Sequence, residues 1–324
     1  MCRSRSTYRV TLLTGIAAII NCATAQAQEF PARQIKIIVL TAAGGGFDIT
    51  ARVIAERLSP LLGQGVIVEN RTGAGTLVGT EAAAKAAPDG YTLLMGAFSN
   101  FGLNSGLYAK LPYDPINDFV PINIVVAFPF VLVARNDLPH TTLKGIISAA
   151  RSSPGKITYA SGGRATGQHI AMAAIEQLNR VSCNHVPYRG AQPAYQDMIG
   201  GRIDLMFDNV STALPQIQGK TVRAMAVSSA GRMGQLPDVP TIEQAGGGKL
   251  EFESWFGLFA RAATPSPALD KLSREVAKVV ALPDVASMFG RTGGRVLGLS
   301  GTAAREMVKF AFPPQVEHLL DGLT

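Results

Sequence analysis

The sequence contains the same local unit twice: a run of β-branched and apolar residues, a glycine-rich turn and then a helical pattern. The first copy is 35-IKIIVLTAAGGGFDITARVIAERL-58 and the second is 157-ITYASGGRATGQHIAMAAIEQL-178. After the first turn, apolar residues such as Ile49, Val53 and Ile54 recur at the spacing of one helix face. Two copies of one such unit, about 120 residues apart, predict two similar α/β lobes.

Strand-like runs recur along the whole chain, and helical patterns separate most of them. This alternation favours an α/β fold in which largely parallel sheets are covered by helices on both faces. The predicted strands are residues 35–40, 66–70, 91–96, 130–135, 157–161, 184–188, 203–209, 222–229 and 254–261.

The first residues have the pattern of a secretory signal peptide. Three arginines precede a mainly apolar run from Val10 to Ile20, and 23-ATAQA-27 supplies an A-x-A site that predicts cleavage after Ala27. The run of about eleven residues is too short for a transmembrane anchor, which needs roughly twenty. Cys22 leaves a lipoprotein as the alternative, although Asn21 is a poor residue before a lipidated cysteine. We therefore expect a periplasmic protein.

Removing residues 1–27 leaves 297 of the 324 residues, which is enough for two domains. The 30 basic residues less the 3 in the leader, against 23 acidic residues, give a mild net charge of +4. The basic residues are scattered, so neither a nucleic-acid partner nor a membrane-binding patch is expected. Cys183 would be the single thiol of the mature chain, which excludes an intrachain disulfide.

The glycine turns are suited to binding an anion. Each places unpaired N–H groups and the positive end of a helix dipole at the carboxyl end of a strand. In the first copy, 44-GGG-46 and a helix starting near Asp48 form the predicted cradle. Ligands of open α/β sheets lie beyond the carboxyl ends of the strands, so two such loops in facing lobes could hold one anion from both sides.

Nucleotide, metal and catalytic motifs are absent from the sequence. Phe47-Asp48-Ile49 follows the first glycines where a P-loop requires Gly-Lys-Ser/Thr, and no G-x-G-x-x-G, H-E-x-x-H, G-x-S-x-G or Cys/His metal spacing occurs. No metal or other cofactor is expected. The remaining enzyme hypothesis is a hydrolase that uses Ser161 or Ser99 with His169. His169 could otherwise donate to a bound carboxylate, or serve as a capping or packing residue.

Many short motifs resemble the Bug family of periplasmic solute-binding proteins, which are the extracytoplasmic receptors of tripartite tricarboxylate transporters. The resemblance runs in consistent order from about Pro31 to about Lys309. The motifs are 69-ENRTGAG-75, 86-AAPDGYTLLMG-96, 111-LPYDPINDF-119, 154-PGKITYASGG-163, 186-VPYRGAQPA-194, 200-GGRIDLMFDN-209, 236-LPDVPTIEQAG-246 and 254-SWFGLFA-260.

The resemblance implies a type II Venus-flytrap binding protein with no catalytic activity, in which two lobes, each a mostly parallel sheet flanked by helices, close on a small organic carboxylate. The chain would cross between the lobes near 127-AFPF-130 and 253-ESWFG-257. Lobe one would then comprise residues 28–127 and 255–324, and lobe two residues 128–254.

The resemblance also implies that backbone amides and bridging waters of the two glycine loops bind the carboxylate. Other candidates lie at strand ends that face the cleft. The predicted ligand-binding residues are Ala42, Ala43, Gly44, Gly45, Gly46 and Asp48 in the first loop, Ser161, Gly162, Gly163, Arg164, Thr166 and His169 in the second, and Ser99, Asn100, Tyr188, Ala191 and Asp208, with Asn209, at other strand ends.

Several residues depart from the family pattern or leave alternatives open. The family usually has an aromatic residue and prolines where 41-TAA-43 stands. Arg164 could pair with a second ligand carboxylate or face solvent. Asp208 would repel a carboxylate, so it could instead cap a helix or hinge, or bind an ammonium group. The carboxyl end, 310-FAFPPQVEHLLDGLT-324, does not resemble the long final helix of the family, because two prolines interrupt it.

The function expected from these observations is capture of a small organic carboxylate and its delivery to the membrane subunits of a tripartite tricarboxylate transporter. A periplasmic sensor that feeds a two-component system is the alternative, and the sequence does not separate the two.

Overall fold

The computed structural model describes residues 29–309. The predicted signal peptide and the proline-containing segment 310–324 lie outside the described residues. Within them, no helix has both the length and the apolar character needed to span a bilayer.

The strands agree with the sequence prediction at most positions, and the main differences are the length of one strand and the presence of another near the carboxyl end. The strands are β1 Ile35–Val39, β2 Val66–Asn70, β3 Thr92–Ala97, β4 Phe119–Arg135, β5 Thr158–Ser161, β6 Asn184–Pro187, β7 Leu205–Asn209, β8 Val222–Val227, β9 Glu253–Arg261 and β10 Arg295–Leu299.

Helices connect most of these strands, and the first of them begins two residues before the predicted start at Asp48. The helices are α1 Gly46–Leu62, α2 Leu77–Ala84, α3 Asn104–Leu107, α4 Leu143–Ser152, α5 Gly167–Asn179, α6 Ala191–Ile199, α7 Val210–Gln218, α8 Ser266–Val280, α9 Pro283–Arg291 and α10 Gly301–Lys309, with short helical turns at Ala74–Thr76 and Ser99–Leu103.

The strands form two sheets that share β4. In lobe one, β2, β1 and β3 are parallel, and β9, β4 and β10 continue the sheet in antiparallel pairings. In lobe two, β6, β5 and β7 are parallel, and β4 pairs antiparallel with β7 and β8. The expected parallel arrangement thus holds for the strands that carry the glycine loops, whereas the pairings of β4 are antiparallel.

The strand β4 runs through both sheets. Its first part pairs with β9 as far as Pro129, and from Phe130 it pairs with β7. The sequence predicted only residues 130–135 as strand, because Pro121 and Pro129 lower the strand propensity of the preceding residues. The structure accommodates Pro121 beside a register shift and Pro129 at the change of partner. At this change, the N–H of Phe130 donates to the Ser228 hydroxyl at 2.7 Å.

Candidate functional site

A small cavity lies between the two lobes, at the carboxyl ends of strands from both sheets. Its volume is about 30 Å³, enough for about two water molecules. Hydroxyl groups of Thr41, Ser99 and Ser254 lie in its wall, and the rings of Phe47 and Phe130 supply its apolar part. A diacid is several times larger than a water, so its entry requires the lobes to separate or the lining to move.

Four helices begin at the wall of this cavity. α1 contributes Gly46 and Phe47, α5 contributes Gly167 and Gln168, α6 contributes Ala191, and α7 contributes its N-cap residue Asn209. First-turn N–H groups have no acceptor within their own helix, and the helix dipole adds positive potential at the same end. The cavity therefore attracts anions, although no cationic side chain of the described chain lines it.

In the first glycine loop, the anion at the helix start belongs to the protein itself. The Asp48 carboxylate accepts the N–H of Gly44 at 2.9 Å, Asn70 Nδ2 at 3.0 Å and Arg52 Nε at 2.9 Å. Burial raises the pKa of Asp48, but the hydrogen bonds from Arg52, Gly44 and Asn70 outweigh burial, so the pKa is lowered. Asp48 does not line the cavity, and its charge is balanced inside lobe one.

In the second glycine loop, a neutral side chain takes the corresponding place. The N–H of Gly162 donates to Oε1 of Gln168, and Nε2 of Gln168 donates to Oδ1 of Asp208 at 2.5 Å. Gln168 is buried in the first turn of α5 and lines the cavity. It therefore connects the glycine loop to the carboxylate at the end of β7.

Asp208 is the ionisable side chain in the cavity wall, within the described part of the chain, and it is only 1% exposed. Besides Gln168, the N–H of Asn209 donates to its Oδ1 at 2.9 Å, and the Tyr195 hydroxyl donates to its Oδ2 at 2.9 Å. Burial raises the pKa of Asp208 to about 7, although these three hydrogen bonds lower it.

The two lobes contact each other beside the cavity through one backbone pair and one side-chain amide. The N–H of Ala42 donates to the carbonyl of Arg189 at 3.0 Å, and Gln192 Nε2 donates to the carbonyl of Gly44 at 3.2 Å. A Cβ on Gly75 would lie 2.0 Å from the carbonyl oxygen of Arg164. Glycine at position 75 is what lets the two backbones approach this closely.

The histidine of the second loop packs instead of facing the cavity. The His169 ring stacks on His185 with centroids 4.2 Å apart, and His185 stacks on Tyr159 at 4.8 Å. Burial is the main cause that lowers the pKa of His169 to about 4 and that of His185 to about 3, so both rings are neutral near pH 7. Ser161 Oγ lies 2.7 Å from Nε2 of His185 and donates to the Gly163 carbonyl at 2.9 Å, so it is not paired with His169.

The structure brings eight of the predicted site residues to the cavity and places the others around it. Gly45, Gly46, Ser99, Gly162, Thr166, Ala191 and Asp208 line the cavity, as does Asn209. Those absent from its wall are Ala42, Ala43, Gly44, Asp48, Asn100, Ser161, Gly163, Arg164, His169 and Tyr188.

The residues outside the wall have other contacts. Ala42 and Gly44 contact lobe two, and Asn100 Oδ1 accepts the N–H of Ala97 at 2.7 Å. The Tyr188 hydroxyl donates to Asp197 at 2.7 Å. The Arg164 side chain is exposed, which agrees with the solvent-facing alternative.

Sequence reasoning missed several lining residues, notably Thr41, Gln168, Gly190 and Ser254. Gln168 had an available signal, because it stands in the first helical turn after the second glycine loop, as Asp48 nearly does after the first. Ser254 had none, since it lies in a strand far along the chain from both loops.

A larger cavity of about 380 Å³ lies elsewhere in lobe one, beside α10. Its wall includes Phe101, Phe119, Phe259 and Val308, and it adjoins residue 309, where the described chain ends. Neither glycine loop reaches it, and none of the described residues in its wall belongs to the first turn of α1, α5, α6 or α7, so it is not the candidate ligand site. No group of His, Cys, Asp or Glu side chains within residues 29–309 could hold a metal ion.

Comparison with known proteins identifies the family of this chain. The chain matches the tripartite tricarboxylate transporter family receptor over residues 50–310. It belongs to this receptor family. Members of the family are substrate-binding receptors, so the paired glycine loops belong to a binding fold rather than to an enzyme.

Individual relatives support the same assignment. A protein of Pseudomonas sp. (strain P51), encoded in the tcbD-tcbE intergenic region, is 37% identical over 90% of this chain and 87% of its own length. The solved structure of the periplasmic binding protein BugD is 33% identical, with a TM-score of 0.86 over 91% of this chain and 98% of that one. MatC of Rhodopseudomonas palustris, solved with bound malate, is 30% identical, with a TM-score of 0.84 over 91% and 100% of the two chains. The resemblance to Bug proteins and the two-lobed binding-protein fold are confirmed.

Proposed function

We propose that this receptor captures a small organic carboxylate between its lobes and delivers it to the membrane subunits of a tripartite tricarboxylate transporter. The observation that carries the proposal is the convergence of four helix N-termini on one cavity. Backbone N–H groups at helix starts bind carboxylates without a cationic side chain. Malate, which is bound in the structure of the similar R. palustris protein, is a small organic carboxylate of this kind.

The proposed contacts follow from the cavity wall. The N–H groups of the first turns of α1, α5 and α6 would bind the carboxylate, because their positive dipole ends meet there. The hydroxyl of Ser99 would donate as well. Thr41 Oγ1 is buried, lines the cavity and has no hydrogen-bond partner among the described residues. It is therefore available to a ligand oxygen or a bridging water.

The division into lobes is part of the same proposal. We place lobe one at residues 28–127 and 255–324, and lobe two at residues 128–254. The change of partner along β4, between Pro129 and Phe130, and the start of β9 at Glu253 support crossings at these points. Lobe motion would then bend the chain at two neighbouring strand positions.

The proposed compartment is the periplasm, with residues 1–27 as the cleaved leader. The arginines, apolar run and A-x-A site of the sequence support it, as does the periplasmic location named for the similar BugD protein. Processing after Ala27 is tested by amino-terminal sequencing of the exported protein.

The binding function is tested with residues 28–324 in a thermal-shift screen followed by calorimetry. The ligands are succinate, malate, adipate, citrate and aspartate, with a neutral sugar and arginine as controls. A ligand at a hundredfold excess over its Kd adds about 2.7 kcal/mol of stability, which moves Tm visibly. A folded, ligand-free sample that responds to no acid contradicts the proposal.

A matched pair of serine variants tests the site. Ser99→Ala removes a hydroxyl from the cavity wall, and we expect about tenfold weaker binding, because hydrogen bonds to charged groups contribute about 1.5–3 kcal/mol. Ser105→Ala removes an exposed hydroxyl that donates to the carbonyl of Phe101 in the preceding turn, and it should leave the affinity unchanged. Equal affinities for the two variants would place the ligand elsewhere.

Delivery to a transporter needs its own experiment. Membrane vesicles that contain the membrane subunits of a tripartite tricarboxylate transporter should take up the labelled acid only when the receptor is added. Binding without receptor-dependent uptake would leave the capture function intact and overturn the transport role.

A further inference from the structure

The cavity contains a feature that an anion site should avoid, namely a buried carboxylate. Asp208 lies in the wall, it is 1% exposed, and no lysine, arginine or histidine of the described chain lines the same cavity. A bound carboxylate would place two negative charges side by side in a poorly hydrated space. Two carboxylates that share such a site cannot both remain ionised, and one of them holds a proton.

Asp208 is held in place by three helices of lobe two. Gln168 from α5, Tyr195 from α6 and the N–H of Asn209 at the N-cap of α7 all donate to it. These are three of the four helices whose N-termini meet at the cavity. Asp208 therefore positions the N–H groups that would bind the ligand, and its charge lies among them.

The groups that face Asp208 leave its charge without a cationic partner. On the sheet, β4 places Val131 opposite it. Tyr195 is the titratable group in contact with it, α5 presents the neutral Gln168, and lobe one presents Gly46 and Thr41 across the cavity. Arg164, on the loop before α5, has an exposed side chain outside the wall.

We propose that Asp208 takes up a proton when the receptor captures a carboxylate, so that the ligand anion and one proton bind together. This inference rests on the proposed carboxylate-binding function and specifies the charge balance of that site. The proton comes from solvent and forms a carboxyl group on Asp208, with no other bond made or broken. The Tyr195 hydroxyl can rotate to accept a hydrogen bond from the new O–H group of Asp208, since a hydroxyl both donates and accepts hydrogen bonds.

The Asp208 carboxyl group is suited to this proton uptake. Because burial raises the pKa of Asp208 to about 7, the group is mostly ionised at about pH 8 and mostly protonated at about pH 5.5. Linkage then predicts affinity that falls by up to about tenfold per pH unit above about pH 7 and is flat below about pH 6. A ligand that carries an ammonium group would balance Asp208 without a proton and would show no such loss.

The experiment is isothermal calorimetry of residues 28–324 with succinate, malate, adipate and aspartate. Titrations at about pH 8 use Tris and HEPES, and those at about pH 5.5 use MES and Bis-Tris, because none of these buffers is a carboxylate. The difference in binding enthalpy between paired buffers counts the protons taken up. For succinate, malate and adipate, after subtraction of the protons that the ligand itself loses or gains, we expect close to one proton per ligand at about pH 8 and close to none at about pH 5.5. For aspartate we expect close to none at either pH, because its ammonium group balances Asp208.

Variants assign the proton to Asp208. Asp208→Asn should bind with no proton uptake and a flat pH profile. Tyr195→Phe keeps the carboxyl group but removes a donor that lowers its pKa, so the onset of the affinity loss should move to higher pH. Tyr188→Phe is the matched control, because its hydroxyl donates to Asp197 outside the cavity wall, and its profile should equal that of the wild type.

The outcomes separate this inference from the function on which it rests. Binding of diacids with no proton uptake, or unchanged uptake in Asp208→Asn, overturns the inference and leaves the receptor function standing. Binding of aspartate alone, without uptake, identifies Asp208 as an ammonium site instead and also overturns it. If no acid binds to the folded protein, the proposed function fails as well. If Asp208→Asn does not fold, the test relies on Tyr195→Phe. The inference is then contradicted if affinity depends on pH in this variant in the same way as in the wild type.

Discussion

The two glycine loops have the same order of strand, turn and helix, yet they treat negative charge in opposite ways. In the first loop, Gly44 donates to the charged Asp48, which Arg52 balances within lobe one. In the second, Gly162 donates to the neutral Gln168, which donates in turn to Asp208 at the cavity. One lobe thus contains its own anion and cation, whereas the other presents an unbalanced carboxylate to the ligand site.

The comparison shows that a glycine loop before a helix predicts a negative charge nearby. It does not predict which group of the protein or ligand carries that charge. In lobe one a charged side chain in the first turn of the helix accepts the N–H of Gly44 in the loop before it. In lobe two the corresponding side chain is an amide, so the negative charge lies further into the cleft. Ionisation of the two carboxylates should therefore have opposite effects on stability.

The largest expected effect is the pH dependence that Asp208 imposes on folding. Its pKa is about 7 in the folded protein, above the ordinary value of about 3.9, so the folded state binds more protons between these values. The unfolding free energy should therefore fall as pH rises from about 4 to about 7. The difference between wild type and Asp208→Asn should change by about 4 kcal/mol over this range, measured by urea unfolding. If this difference in unfolding free energy does not change with pH, burial does not disfavour the ionised form of Asp208.

The next effect concerns the contact between the loops. Gly75 has φ +58° and a Cβ there would meet the Arg164 carbonyl, whereas Gly63 has φ +64° and open space around its Cβ position. Both alanine variants should lose about 1 kcal/mol of stability. Only Gly75→Ala should also prevent full closure and weaken ligand binding, by about a hundredfold if closure contributes about 2.7 kcal/mol. Equal affinities would show that closure does not need this approach.

A third effect tests the balanced carboxylate of lobe one. Asp48→Ala should lower the unfolding free energy by about 2 kcal/mol, because it leaves the half-buried donors of Gly44 and Asn70 without their charged acceptor. The pKa of Asp48 is lowered in the folded protein, so its contribution is present above the unfolded pKa and is lost as pH falls through the folded pKa. Urea unfolding at about pH 7 and pH 3 checks this. Asp89→Ala removes an exposed pair with Arg33 and should change stability by under about 1 kcal/mol.

The smallest effect is expected at Arg164. Its side chain is exposed and lies outside the cavity wall, so Arg164→Ala should change ligand affinity by less than about twofold at ordinary salt. Calorimetric titration of Ser99→Ala under the same conditions gives the loss of affinity with which the result for Arg164→Ala is compared. A loss comparable to that of Ser99→Ala would mean that the arginine turns inward and pairs with the ligand.

Much of the fold could be predicted from the sequence, since both glycine units, most strands and the family resemblance rest on local patterns. The strand β4 before residue 130 could not, because Pro121 and Pro129 argue against a strand until the partners that tolerate them are known. The strand β10 was also missed: it has a glycine at position 298 and joins the sheet only through pairing with β4. The predicted glycine loops lie around the cavity, but many of their residues make interlobe or internal contacts instead of lining it.

The sequence by itself determined the two lobes and the anion-attracting turns, because periodicity, glycine and helix starts act over a few residues. Only the tertiary structure decided which groups meet at the cavity. Thr41, Gln168, Asp208 and Ser254 come from four distant parts of the chain. Likewise, the raised pKa of Asp208 and the balanced charge of Asp48 depend on burial and partners supplied by other elements. Charge balance in a closed cleft is a property of packing, and packing is not local in the sequence.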